Sequence, residues 1–81
     1  MGFGVTGLGR EDVARAIIEV LKEARGPLTF DEIFEGVSSR LAGSARKFEI
    51  REILSSLVRE NIVVREPDYE RKRMVYRLRE G

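Results

Sequence analysis

The sequence predicts an α+β fold: three helices and then a C-terminal β-hairpin, with room for a short strand at 28–30. Three observations predict it. Apolar residues recur at helical spacing in three successive segments, each followed by a glycine or an asparagine. A threonine–glutamate capping signal stands at the head of the second segment. Near the C-terminus Met74, Tyr76 and Leu78 alternate with Val75, Arg77 and Arg79, the pattern of a half-buried strand with Val75 on the outer face.

The first helix is expected from about Glu11 to Arg25. Glu11 and Asp12 fall in its first turn, where carboxylates favour the helix dipole. Val13, Ala14, Ile17, Val20, Leu21 and Ala24 form its apolar stripe, with Ile18 near the edge. Gly26-Pro27 is a stop signal, with glycine taking a left-handed C-terminal position.

Thr29 and Glu32 form a capping box for the second helix, and Leu28 and Ile33 are spaced for a hydrophobic staple. Phe30, Ile33, Phe34, Val37 and Leu41 mark its buried face. Gly36 inside that helix costs up to ~1 kcal/mol relative to alanine, a cost that close helix packing explains. Gly43 ends the helix, and Ser44 is placed to cap the next.

The third helix is expected from about Ala45 to Glu60, burying Ile50, Ile53, Leu54, Leu57 and Val58. Asn61 takes the left-handed position at its end. Ile62-Val63-Val64 is the first hairpin strand, and Met74 to Arg79 is the second. The polar run between them starts to turn at Pro67-Asp68.

The chain has 81 residues, which predicts one domain over 11–81 behind a flexible glycine-rich leader at 1–10. Gly2 to Gly7 formally matches G-x-G-x-x-G, but the dinucleotide fingerprint needs a preceding strand and a βαβ unit that this sequence does not offer. A domain this small buries only about 60% of its unfolded surface, so it needs extra support. Cysteine and histidine are absent, which excludes disulfides and the usual zinc sites and leaves dimerisation or ion-pair networks. The same absence removes the usual catalytic triads and dyads, so no enzyme, cofactor or metal is expected. Charged residues make up 36% of the chain, glutamine is absent and Asn61 is the only asparagine, a composition that leans toward a thermophile. No apolar run is long enough to span a bilayer, and the expected location is cytoplasmic.

Net charge is only +1, but it is unevenly spread. Residues 1–43 hold five basic and seven acidic side chains, whereas residues 44–81 hold ten basic and seven acidic. Arg71 to Arg79 contains five basic residues and no acid.

The order of helix, short extended piece, two helices and a hairpin resembles the winged helix-turn-helix domain from residue 11 onward. The segment Ile53 to Arg65 is similar to that family's "xLxxLxxxGLVxR" pattern, with Asn61 where glycine is usual. Asp68 to Gly81 is similar to the wing and final strand of the MarR and PadR regulators. The resemblance implies a transcriptional regulator that binds double-stranded DNA as a homodimer. The alternative it leaves open is a protein-interaction module in a transcription, replication or chromatin complex.

On the DNA reading, the third helix enters the major groove, and Ser44, Arg46, Lys47, Arg51 and Ser55 face bases or phosphates. Arg71, Lys72 and Arg73 gather at a turn with no packing role and reach the phosphate backbone. Glu49 and Glu52 oppose this reading unless they pair with neighbouring arginines or accept from cytosine. Phe48 lies some 150° from the centre of the apolar face. It either folds back as a staple on a helix that starts later, the preferred reading, or stands exposed in a contact surface. Ile18, with Phe3, Val5 and Leu8, forms either a dimer patch or the edge of a broad buried face.

Overall fold

The computed structural model describes residues 10–41 and 45–79. Its elements are α1 (Arg10–Glu23), β1 (Leu28–Thr29), α2 (Phe30–Arg40), α3 (Lys47–Arg59), β2 (Val63–Asp68) and β3 (Arg73–Leu78). The strands make one antiparallel sheet in the order β1-β3-β2. Three helices and a three-stranded antiparallel sheet make an α+β fold. The leader with Phe3, Val5 and Leu8, and Gly43 and Ser44, lie outside the described residues.

The core sits between the three helices and one face of the sheet. Ile17, Ile33, Val37, Ile50, Leu54 and Val63 are its fully buried members. The expected stripes of α2 and α3 are where the core is, although Phe30, Phe34, Leu41 and Val58 are only half-buried. On α1, Ala16 is buried while Ala14 is half-buried, because Ala16 lies on the side turned toward its neighbours. Ile18 packs half-buried against the same core, as the edge of a broad buried face does.

Local chemistry sets the helix ends. The Thr29 hydroxyl accepts the Glu32 N–H at 3.3 Å, and Glu32 Oε1 accepts the Thr29 N–H at 2.9 Å, completing the predicted capping box. Asn61 has φ 66°, and the Asn61 and Ile62 N–H groups bond to Val58 and Leu57 carbonyls at 3.0 and 2.9 Å. That is a Schellman end, and asparagine replaces glycine there because it tolerates the left-handed region. Gly26 does not take the expected left-handed conformation. α1 has already ended at Glu23, and the residue before a proline is pushed toward extended backbone.

Three expectations are corrected. α3 starts at Lys47 with Arg46 as its N-cap residue, two positions later than Ser44 would set it. Arginine has no acceptor, so only the return half of a capping box forms: Glu49 Oε1 accepts the Arg46 N–H at 3.1 Å. The first hairpin strand starts one residue later than expected but runs on to Asp68, the second keeps its length and shifts back by one residue, and the turn between them is shorter. Arg65 to Asp68 and Arg73 are all in the ladder, with Pro67 opposite Met74. β2 is an edge strand, where proline is tolerated. Only Tyr69 to Lys72 turn, with the Asp68 carboxylate accepting the Glu70 and Arg71 N–H groups at 3.0 and 3.2 Å and Lys72 at φ 57°. Finally, β3 is not simply half-buried. Val75 is 2% exposed although it points away from Tyr76: on its face it lies opposite buried Thr29 and beside the first turn of α2, which Arg73 on the same face also meets.

Gly36 sits where α2 meets α1. A Cβ there would stand 2.9 Å from Val20 Cγ1, closer than two carbons approach. Valine is stiff at χ1 and cannot swing clear. Gly36→Ala should therefore destabilise by about 1–3 kcal/mol despite alanine's helix propensity. Denaturant unfolding checks this, and Val20→Ala in the same chain should recover part of the loss. A Gly36→Ala protein more stable than the parent would refute the close packing.

Candidate functional site

The first turn of α2 gathers four of the predicted site residues, Lys47, Arg51, Arg71 and Arg73. Asp31 and Glu32 favour the positive end of the helix dipole, and the capping box holds that turn in place. Asp31 Oδ1 lies 3.7 Å from Lys47 Nζ at the start of α3, and its Oδ2 lies 3.5 Å from Arg73 Nη1 on β3. Arg71, in the hairpin turn, donates from Nη2 to Glu32 Oε2 at 2.9 Å. Two adjacent carboxylates thus join the start of α3 and the end of the hairpin.

The half-buried rings of Phe30 and Phe34 extend this cluster. They stack with centroids 6.5 Å apart and an interplanar angle of 21°. Lys47 Nζ lies 5.9 and 5.6 Å from the two centroids, and Arg51 Cζ lies 4.8 Å from that of Phe30. Cations over ring faces are attracted by the quadrupole, and guanidinium stacks well there. Lys47 and Arg51 are therefore held on α2 while their charge still faces solvent.

The predicted residues separate accordingly. Arg71 and Arg73 do have a structural role, contrary to the expectation that the hairpin cations lack one, because both bind acids of α2. Lys72 between them is exposed and has no ion-pair partner among the described residues. Arg46 and Ser55 are exposed on α3. Glu49 caps Arg46 rather than pairing with an arginine side chain, and Glu52 is exposed with no ion-pair partner among the described residues. Phe48 is 67% exposed, so the staple does not form even though the helix starts later. Tyr69 and Met74 of the hairpin are also exposed apolar residues. Asp31 and Glu32 are the members of this cluster that sequence reading did not single out as partners of the cations. Their first-turn placement was visible, but their partners lie far along the chain.

Further ion pairs brace the scaffold. Arg40 at the end of α2 binds Glu19 at 3.3 Å and also Glu23, both on α1. Arg77 binds Glu66 across the hairpin at 3.2 Å. Among the described residues, no group of three or more His, Cys, Asp or Glu side chains is placed to hold a metal ion. No helix among them is long and apolar enough to cross a membrane. Compared with known protein families, curated proteins and solved structures, the chain has no match.

The hydrogen bond from Arg71, assisted by that from the Thr29 N–H, holds the Glu32 carboxyl below its ordinary value of 4.5. A carboxyl whose folded pKa is depressed stabilises the fold above its unfolded pKa. That contribution disappears as pH falls through the folded value. Both Glu32→Gln and Arg71→Ala should therefore flatten the fall in melting temperature between about pH 5 and about pH 3. Parallel acid limbs in the parent and both variants would show that the pair is not coupled to folding.

Proposed function

We propose that the chain is a winged helix-turn-helix domain that binds duplex DNA as a homodimer and acts as a transcriptional regulator. α3 is the recognition helix and the β2–β3 hairpin is the wing. The observation that carries this reading is the double engagement of Asp31, which joins Lys47 on α3 to Arg73 on the wing. Lys47, Arg51, Arg71 and Arg73 thereby gather around the first turn of α2, with exposed Arg46 and Lys72 next to them in the chain. Phosphate contacts from such a surface set register, and the outward residues of α3 are left to meet base edges. Two-fold pairing doubles the phosphate contacts of one small domain and sets half-sites about 34–36 Å apart. The reading includes no catalytic step and no cofactor.

A second reading draws on Phe48. A phenylalanine 67% exposed on the outward face of α3, one turn before unpaired Glu52, suits a protein partner better than a phosphate backbone.

Duplex binding at two salt concentrations separates the readings. DNA binding predicts a log–log salt slope of about −0.9 for each phosphate neutralised. Lys72→Ala should make that slope shallower by about 1, and Arg71→Ala with Lys72→Ala and Arg73→Ala should abolish binding at moderate salt. No duplex complex even at low salt would refute the reading and favour the partner protein, whose capture Phe48→Ala should abolish. Unchanged affinity in the triple variant would remove the wing from the interface.

A further inference from the structure

We infer that the seam between the end of α3 and the hairpin is an oxyanion site that takes a phosphoryl group. A groove of about 230 Å3 opens there, lined by Ser55, Val58, Arg59, Arg65 and Tyr76. Three elements supply these residues. Arg59 is in the last turn of α3, Arg65 is on β2, and Tyr76 is on β3. Arg65 and Tyr76 are direct partners across the ladder, so their side chains rise from the same face of the sheet. Val58 is the groove's apolar member.

The charge of the groove has no internal counterpart. No acidic side chain lines it. Glu66, the neighbour of Arg65, points to the other face by strand alternation and is bound to Arg77 at 3.2 Å. Neither Arg59 nor Arg65 has an ion-pair partner among the described residues, whereas Arg40, Lys47, Arg71, Arg73 and Arg77 all do. The Tyr76 hydroxyl makes no hydrogen bond within the described chain and is not a buried orphan, so it reaches solvent in the groove.

The backbone under the two arginines is tied down by hydrogen bonds. The Schellman turn at Asn61 closes α3, and the Arg79 N–H bonds to the Ile62 carbonyl at 3.0 Å. Val63, between the two arginines, is 1% exposed. Two guanidinium groups brought to one groove without an acid form a receptor whose electrostatic cost an anion relieves. The donor set identifies the anion. Two planar forks and two hydroxyls exceed what the two oxygens of a carboxylate can accept, and they suit the oxygens of a phosphoryl group. The phosphoryl group can come from a nucleic-acid backbone or from a free phosphate. The site does not depend on the duplex reading.

Titration of the full chain with inorganic phosphate, followed by backbone and arginine Nε resonances at constant ionic strength, tests the site. Saturable shifts should gather on Ser55, Arg59, Arg65 and Tyr76. Arg65→Gln should weaken phosphate binding about tenfold by removing charge-assisted bonds, and Arg65→Lys should restore only part of it. Tyr76→Phe should weaken it less. Unsaturable shifts spread evenly over all arginines and lysines of the parent protein would overturn the proposal, whatever the variants do. A duplex titration then identifies the source. Weaker duplex binding in Arg59→Gln with Arg65→Gln assigns the phosphoryl group to the nucleic-acid backbone. Unchanged or absent duplex binding, with the phosphate shifts intact, assigns it to a free phosphate and leaves the site standing.

Discussion

The Glu32 carboxylate is the constraint on which the arrangement of this molecule depends. One oxygen accepts the Thr29 N–H and starts α2, and the other accepts the Arg71 guanidinium from the hairpin turn. A residue that caps a helix thereby also sets where a hairpin ends, 39 positions later in the chain. Asp31 extends the link to Lys47 and Arg73. These are exposed pairs, screened by solvent, and contribute little to stability. Their role is orientation, while the buried cluster around Ile17, Ile33, Ile50 and Leu54 supplies the stability.

Pairing changes what the basic residues can do. A hairpin carrying Arg71, Lys72 and Arg73 looks like a free cationic tip, yet two of its charges are already opposed by α2. A phosphate approaching that tip competes with Asp31 and Glu32, and Lys72 meets it unopposed. Arg59 and Arg65 have no acid to displace. The positive field therefore divides between a braced surface, where α2 fixes geometry, and the α3–hairpin seam, where charge is unopposed.

Much of the fold was legible because its signals are local. The capping box at Thr29 and Glu32, the left-handed Asn61 and the α3 stripe from Ile50 to Leu57 each depend on residues within one or two turns. Features that depend on distant partners were not legible. The polar stretch Arg65 to Asp68 reads as loop, yet it is strand because β3 supplies a ladder for it. Val75 reads as facing out, but folding sets it opposite Thr29 at the start of α2 and buries it there. The candidate site divides in the same way. Its cations are visible in the sequence, whereas their pairing with α2 and the meeting of Arg59 with Arg65 exist only once the chain has folded.

The proposed duplex binding requires α2 to join α3 and the hairpin into one surface. Mapping amide perturbations on adding a short duplex at low salt tests it most directly. The expected result is perturbation on Arg46, Lys47, Arg51 and Lys72 together, saturating at a single duplex concentration, with Lys22 and Arg25 at the end of α1 unaffected. Perturbations that start on α1, that saturate separately on α3 and the hairpin, or that fail to develop would contradict the claim.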